Sequence, residues 1–244
     1  MNDIRIVLVR PQGADNVGAA ARAMKNMGLR RLVLVEPAIR RLADASAMAV
    51  HARDVLEAAR IAPSLAEAVA DCCLVVGTTC RDGLYRADSC PPHELAPLIV
   101  ARAERAPVAL VFGPEDHGLS NEDLKLCQRL ITIDTDPEYA SLNLAQAVLL
   151  CCYELRRACG AERPRDDLDL ATSYEIELTL ERLKAAFLEI GFLHRDNPDH
   201  IMFAFRRLLG RAGLEKRDAR ILMGVARQIE WYARQAREGG EGRG

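Results

Sequence analysis

The first cluster of residues that could do chemistry is Asn16-Val-Gly18-Ala-Ala-Ala-Arg22, which follows an apolar run and has a helical composition. Asn16 suits the cap position, and the unpaired N–H groups of a helix start can bind a phosphate or a carboxylate. Arg22 lies about 9 Å further along the axis, and helical side chains lean back towards the N-terminus. Its guanidinium could therefore reach an anion at the helix start, although a capped helix with a solvated arginine explains the same residues.

The second cluster is Gly113-Pro-Glu115-Asp-His-Gly118-Leu-Ser120, which begins where another apolar run ends. Gly113 would let a ligand approach the backbone, Glu115 offers a carboxylate at the strand end, and Ser120 can cap the next helix. Asp116 and His117 could do acid–base work, but we interpret them as loop residues. A plain strand-to-helix turn punctuated by Gly and Pro is the alternative.

The third cluster runs from Asp136 to Ala147, a polar loop that leads into a very apolar helix. We expect Ser141 to cap that helix and Asn143 to lie in its first turn, where asparagine is a poor helix former. An unpaired polar side chain against a packed helix costs about 1 to 3 kcal/mol, so Asn143 should have a definite partner. A cap with one solvated asparagine is the alternative.

The elements that must position these clusters form an α/β pattern. Continuous apolar runs without strict alternation predict strands buried on both faces, at residues 4–9, 32–35, 73–76, 108–112 and 130–133. Helices are predicted between them, near 16–28, 44–58, 92–104, 120–128 and 142–158. A mainly parallel sheet with helices on both sides follows, and in such sheets ligands bind beyond the carboxyl ends of the strands. All three clusters lie there.

The remaining chain predicts a second module. We expect a domain over residues 1–160, a polar linker over 161–170, a helical extension over 171–238 and a disordered tail over 239–244. Three helices are predicted in the extension: one capped by Thr172 or Ser173 and ending near Gly191, one from Asn197-Pro198 to about Gly210, and one over about 215–237. Residues 200–237 hold nine basic and three acidic side chains, so this end is the one that could attract phosphate.

Composition excludes several classes of protein. The 244 residues have a net charge of −2, which argues against bulk coating of nucleic acid. No apolar run approaches the roughly 20 residues of a membrane helix, and no signal-peptide pattern opens the chain, so we expect a cytoplasmic protein. The eight cysteines form no Cys-x-x-Cys, and the five histidines form no zinc signature. We expect neither a metal nor a disulfide framework.

Together, the three clusters resemble the motifs of the SpoU branch of the SPOUT methyltransferases. The Asn-x-Gly-x-x-x-Arg motif is met at residues 16–22, Gly-x-Glu-x-x-Gly at 113–118, and Ser-Leu-Asn with an alanine four residues on at 141–147. The chain is most similar to the TrmJ-type tRNA methyltransferases, through residues 4–9, 137–143 and the C-terminal helices. Thr79-Cys80 and Asp136 depart from that pattern and bear on base and tRNA preference.

The resemblance implies a fold and a function. It implies a trefoil knot near residues 77–155, a homodimer that shares its active site, and S-adenosylmethionine as cofactor. The reaction implied is 2′-O-methylation of a tRNA ribose, on cytidine or uridine at the first nucleotide of the anticodon loop. The alternatives are an rRNA 2′-O-methyltransferase and a non-catalytic RNA-binding protein of this fold.

The resemblance also implies roles for individual residues. The catalytic set is Arg22, Asn16, Glu115, Ser141 and Asn143. The cofactor set is Thr78, Thr79, Cys80, Gly113, Ile133, Ser141, Leu142 and Asn143. The RNA-binding set is Arg22, Tyr139, Arg206, Arg207, Arg217 and Arg220.

Two roles stay open, and two other classes of enzyme are disfavoured. An arginine side chain stays charged in proteins and is therefore a poor base, so we expect Arg22 to stabilise a developing alkoxide or to bind a phosphate. The C-terminal helices could bind the tRNA body or could serve dimerisation.

A nicotinamide dehydrogenase is disfavoured because no Gly-x-Gly-x-x-Gly follows a strand. A P-loop nucleotidase is disfavoured because Gly-x-x-x-x-Gly-Lys is missing.

Overall fold

A computed structural model describes residues 3–39, 41–80, 89–160, 169–194 and 196–241. The chain divides into two compact units, residues 1–166 and 167–244. Most of the predicted linker, residues 161–168, lies outside the described residues. No helix in the described ranges is long and apolar enough to cross a membrane, and no group of three or more potential ligands there could hold a metal ion.

The first unit is built on a seven-stranded parallel sheet, which confirms the predicted α/β class. The strand order is β3-β2-β1-β6-β4-β7-β5. All six residues of the first strand are buried, as expected for a strand covered on both faces. Two short strands were not predicted, β3 and β5, because two or three residues give no readable pattern. The strands are β1 (Ile4–Val9), β2 (Arg31–Val35), β3 (Arg60–Ala62), β4 (Leu74–Thr78), β5 (Ser89–Cys90), β6 (Val108–Phe112) and β7 (Arg129–Ile131).

Helices connect these strands. The predicted continuous helix over 44–58 is wrong: short α-helices and 3₁₀ turns alternate there, and Val50 adopts a positive φ of 49°. One α-helix of this unit was not predicted: α4, which precedes β4. The helices are α1 (Ala14–Asn26), α2 (Ser46–Ala49), α3 (Arg53–Glu57), α4 (Leu65–Val69), α5 (Pro92–Arg102), α6 (Asn121–Lys125) and α7 (Leu144–Ala158), with 3₁₀ turns at Leu42–Ala45, Val50–Ala52 and Pro137–Tyr139.

A side chain completes the ladder between two central strands. The Gln128 backbone N–H donates to the Val75 carbonyl at 2.9 Å, and the Gln128 side-chain oxygen accepts from the Val75 N–H at 2.6 Å. Gln128 is 3% exposed. A buried N–H of β4 is therefore satisfied by an amide rather than by backbone, just before β7 begins.

The second unit consists of three helices around its own apolar core. They are α8 (Ser173–Glu189), α9 (Pro198–Ala212) and α10 (Lys216–Glu241). Thr172 caps α8 in a capping box with Glu175, as predicted for that position. The last helix continues past its predicted end, so residues 239–241 of the expected tail are helical, whereas 242–244 lie outside the described residues.

Candidate functional site

The carboxyl ends of neighbouring strands surround a cleft. β1, β6, β4 and β7 are adjacent and parallel, so the loops that leave them meet at one edge of the sheet. The cleft is open to solvent at its mouth and is lined by both polar and apolar groups, as ligand sites commonly are. Its lining comes from the ends of β4, β6 and β7, the loops after them and the start of α7: Thr78, Thr79, Cys80, Phe112, Gly113, Pro114, Glu115, Asp116, His117, Gly118, Leu119, Ile131, Ile133, Ala140, Ser141, Leu142, Leu144 and Ala147.

Glu115 joins the loop after β6 to the start of α1. Its carboxylate accepts from the backbone N–H groups of Gln12 and Gly13, both at 3.0 Å, and from the Asn16 side-chain amide at 2.8 Å. Burial raises the pKa of Glu115, but these three hydrogen bonds outweigh it and hold the pKa below its usual value. The anion predicted at the start of α1 is therefore a carboxylate of the same chain.

Asn16 and Asn143 extend this arrangement into a chain of three side chains. The Asn143 amide donates to the Asn16 side-chain oxygen at 2.8 Å. The Asn143 oxygen accepts from the Ala145 and Gln146 N–H groups at 2.9 and 3.4 Å, so only its NH₂ can face Asn16. Since Glu115 only accepts, Asn16 must turn its NH₂ towards Glu115 and its oxygen towards Asn143. Each amide orientation is thus fixed by the network.

Two of the predicted helix caps are corrected by this network. Asn143, not Ser141, is the cap of α7, which also gives Asn143 the definite partners that the sequence required. The helix α1 begins at Ala14 after Gly13, so Asn16 lies in its first turn. Ser120 does cap α6, in a capping box with Asp123, as predicted.

Gly113 is required by the chain's own backbone. A Cβ at this position would lie 2.2 Å from the Gly118 carbonyl carbon and 2.2 Å from the Leu119 nitrogen, closer than real Cβ contacts allow. We expected Gly113 to let a ligand approach the backbone. In the structure, the backbone that approaches Gly113 belongs to Gly118 and Leu119, at the other end of the same loop. This closure folds residues 113–118 into the compact wall of the cleft.

Asp116 and His117 also line the cleft, and a hydrogen bond to Gln12 holds the Asp116 side chain in place. The Gln12 side-chain amide donates to Asp116 at 2.9 Å, which is the main reason why the pKa of Asp116 is lowered. The nearer carboxylate oxygen of Asp116 lies 2.5 Å from the His117 Nδ1. The loop after β6 is therefore tied to the loop after β1 at a second point.

A further contact, which the sequence did not predict, links the residue after β1 to α6. Arg10 follows β1 with a positive φ of 48° and forms an ion pair with the buried carboxylate of Asp123 in α6. Burial raises the pKa of Asp123, but the hydrogen bonds from Ser120 and Arg10 outweigh it, and the pKa is lowered. The sequence around Arg10 does not predict this contact, because its partner Asp123 lies more than a hundred residues further along the chain.

The predicted cofactor residues fall mostly in the cleft. Seven of the eight line it: Thr78, Thr79, Cys80, Gly113, Ile133, Ser141 and Leu142. The eighth, Asn143, is outside the lining and belongs to the hydrogen-bonded chain with Asn16. Tyr139, predicted to bind RNA, stands on a 3₁₀ turn two residues before Ser141, with 82% of its surface exposed.

Arg22 is the predicted catalytic residue that neither lines the cleft nor joins the hydrogen-bonded chain of Asn143, Asn16 and Glu115. It lies on the outer face of α1, exposed, and is not among the lining residues. Among the described residues, it has no ion-pair or hydrogen-bond partner. The single chain therefore assembles Asn16, Glu115, Ser141 and Asn143 but leaves Arg22 facing outward.

In the second unit, the predicted RNA-binding arginines differ in their surroundings. Arg206 is 12% exposed and forms a two-point ion pair with Glu177, which weighs against a phosphate contact. Arg207 is partly buried near the Phe203 ring, and burial lowers its pKa. Arg217 and Arg220 are exposed on α10. The structure thus leaves the latter two accessible.

Comparisons with known proteins extend over almost the whole chain. A model of the SpoU rRNA methylase family matches residues 3–153, and a model of the C-terminal domain of the tRNA methyltransferase TrmJ matches residues 174–241. A tRNA (cytidine/uridine/adenosine-2'-O-)-methyltransferase TrmJ of Pseudomonas aeruginosa is 40% identical over 247 residues, with 96% of each chain covered.

Solved structures show the same similarity. The crystal structure of TrmJ from Z. mobilis ZM4 matches with a TM-score of 0.79 and 35% identity, covering 93% of this chain and 98% of that chain. The SpoU methyltransferase AviRb from Streptomyces viridochromogenes, in complex with the cofactor AdoMet, shares the fold at a TM-score of 0.51 and 22% identity, covering 67% of this chain and 60% of that chain.

Proposed function

The chain belongs to the SpoU rRNA methylase family, and from that premise we propose that it is an S-adenosylmethionine-dependent tRNA ribose 2′-O-methyltransferase. The observation that carries the proposal is the hydrogen-bonded chain Asn143–Asn16–Glu115. It joins the three separated motifs beside one cleft. The similarity of both units to TrmJ proteins favours tRNA over the rRNA alternative. The presence in the sequence of all five residues of the predicted catalytic set favours an enzyme over a non-catalytic binding protein.

The cleft fits the cofactor. Ile133 and Leu142 line it with apolar side chains, and Thr78 and the loop at Gly113 add polar and backbone groups, a mixture that suits the adenosine part of S-adenosylmethionine. S-adenosylmethionine supplies an activated methyl group when bound. The remaining requirement is that the protein hold a ribose hydroxyl in line with that group, and positioning of this kind is worth about 7 to 11 kcal/mol in favourable cases.

Glu115, Asn16 and Asn143 serve the acceptor side by fixing geometry. The Glu115 carboxylate has a lowered pKa and three donors already on it, so it is a poor proton acceptor. It keeps the start of α1 and the loop after β6 together instead. We propose that Ser141, which lines the cleft and is exposed, and the exposed Tyr139 two residues before it contact the RNA.

We infer that Arg22 acts in the cleft of a second subunit, as the homodimer implied by the family would allow. The helix α7 packs against α1 and carries a stripe of exposed apolar side chains, Leu149, Leu150 and Tyr153, at 38%, 41% and 46% exposure. Such a stripe favours burial against another copy. Arg22, on the outer face of α1, would then lie near the interface and stabilise the developing alkoxide across it. We also expect the family's trefoil knot near residues 77–155.

Methyl transfer to mapped RNA tests the function. Purified protein, labelled S-adenosylmethionine and an unmodified tRNA transcript should give label on one ribose, at the first anticodon-loop nucleotide. A transcript with a 2′-deoxy residue at that position should stay unlabelled. Equal labelling of the deoxy transcript, or labelling of rRNA in its place, would contradict the proposal.

Mixed dimers test the role of Arg22. Arg22→Ala should abolish methyl transfer and leave cofactor binding unchanged. Asn143→Ala should also abolish most of the methyl transfer and leave most of the cofactor binding. If one subunit supplies Arg22 and the other the cleft, random exchange between the two inactive variants should restore up to about a quarter of the activity, because half of the dimers are mixed and each mixed dimer has one intact site of two. No recovery, with exchange verified by mass spectrometry of the mixture, would place Arg22 in the site of its own chain.

A further inference from the structure

One face of α10 carries arginines with a tryptophan among them. Arg217, Arg220, Arg227, Trp231 and Arg234 follow one another at spacings of three, seven, four and three residues. Residues at these spacings lie on one side of a helix. All five side chains are exposed, Trp231 at 51%. We refer to these five residues as the Arg–Trp stripe.

The charges of the stripe are not neutralised by the protein. Within the described ranges, Arg217, Arg227 and Arg234 form no ion pair, and Glu230 on the same helix pairs with Arg182 of α8 at 3.6 Å instead. Like charges three and seven residues apart on a helix repel one another. A polyanion bound along the face would relieve this repulsion, so the stripe suits a phosphate backbone.

Trp231 has an open ring face that another aromatic ring could stack on. Its ring meets the Tyr232 ring in a T-shaped contact, with centroids 4.9 Å apart and planes at 78°. Such a contact uses at most one face of the indole, so at least one face stays open to another ring. For Gly224, seven residues earlier on the same side, no atom other than the adjacent backbone of its own helix lies within 4 Å of where a Cβ would be. The surface beside Trp231 is therefore open.

We propose that the Arg–Trp stripe binds an unpaired segment of the RNA substrate, with one base stacked on Trp231 and the adjoining phosphates on the arginines. A base within a duplex does not present its face, whereas a base in a loop does, and stacking on an aromatic side chain is how proteins bind such bases. A second copy of the chain fits less well, because a two-fold interface would set the same cationic stripe against itself. The proposal rests on the proposed function in taking tRNA as the natural ligand.

The fluorescence of the full-length protein reports on this contact directly, because Trp231 is the only tryptophan of the chain. The probes are a tRNA transcript, a single-stranded RNA of about ten nucleotides and a blunt RNA duplex of the same length. The first two should quench the emission with saturation, and the duplex should leave it largely unchanged. Equal quenching by the duplex would overturn the inference of a stacked, unpaired base.

Two substitutions separate stacking from charge. Trp231→Ala should weaken tRNA binding about tenfold with no change in the slope of affinity against salt, because stacking releases no counterions. Arg227→Gln should lower that slope by about 0.7 to 0.9, the effect of one lost phosphate contact. Trp231→Phe, which keeps a ring, should restore most of the affinity.

Matched controls lie on α8 of the same unit. Tyr174→Ala removes an aromatic side chain that is 63% exposed, and Lys184→Gln removes a cation that pairs with Asp199. Both should bind tRNA as the unsubstituted protein does. Binding by Trp231→Ala equal to that of Tyr174→Ala would overturn the inference, and so would emission that changes with protein concentration but not with RNA. A failure of the unsubstituted protein to methylate tRNA would instead count against the proposed function, since the binding measurements do not depend on turnover.

Discussion

The substitution Glu115→Gln tests the joint between α1 and the loop after β6. Glutamine keeps the size of the side chain but has a single acceptor oxygen. In the native protein, one carboxylate oxygen accepts from Gly13 and Asn16, and the other accepts from Gln12. A glutamine that keeps the first pair must turn its NH₂ towards the Gln12 N–H, donor against donor. At least one hydrogen bond is lost whichever way the amide is turned.

The expected cost follows from that count. A hydrogen bond to a charged group contributes about 1.5 to 3 kcal/mol, and water can replace part of it because Glu115 is only partly buried. We therefore expect the free energy of unfolding of the first unit to fall by about 1 to 2 kcal/mol. The matched control is Glu122→Gln in α6: that side chain is 78% exposed and contacts Lys125, so its loss should cost less than about 0.5 kcal/mol.

Urea unfolding followed by far-ultraviolet circular dichroism gives this difference. Tryptophan fluorescence would not serve, since the sole tryptophan lies in the second unit. Hydrogen exchange adds a local measurement: the amides of Gln12 and Gly13 should exchange faster in Glu115→Gln and remain protected in the control. Equal stability and equal exchange in the two variants would refute the assigned role of Glu115.

The same variant has a defined pH dependence. The pKa of Glu115 is lowered in the folded protein, so its contribution to stability is fully present above the unfolded value, near 4.3, and is lost as the pH falls through the folded value. The stabilities of the native protein and Glu115→Gln should therefore differ at pH 7 and converge as the pH falls through the folded value of the native protein. A difference that stays constant through acid unfolding would contradict the charged hydrogen bonds described here.

Three further substitutions probe the frame of the site. Gly113→Ala should lower the free energy of unfolding by more than about 3 kcal/mol in the same urea experiment, since its Cβ would lie 2.2 Å from backbone atoms. Gln128→Ala should cost about 1 to 3 kcal/mol by leaving the buried Val75 N–H without an acceptor, and amide exchange at Val75 should accelerate. Arg10→Ala should raise the pKa of the buried Asp123 and destabilise the protein at neutral pH. Additional replacement by Asp123→Asn should recover part of that loss in a double-mutant cycle, and full additivity would contradict the pairing.

Much of the fold and the location of the site could be predicted from the sequence, because these depend on local patterns. Continuous apolar runs located the main strands, and strand ends followed by Gly, Asn and Ser located the loops that surround the cleft. The cap of α8 at Thr172 and that of α6 at Ser120 follow from short-range spacing. Motif spacing was also enough to suggest the family.

The tertiary structure decided which polar groups pair, because those partners are far apart along the chain. No local pattern shows that the Asn16 amide hydrogen-bonds to both Glu115 and Asn143. From the sequence we therefore predicted Ser141 as the cap of α7, whereas the cap is Asn143. Nor does a local pattern show that Gly113 is needed for the approach of its own loop. Local spacing determines where elements begin and which faces are apolar. Long-range packing determines which hydrogen-bond donors and acceptors pair with each other. At this site those pairs set the geometry.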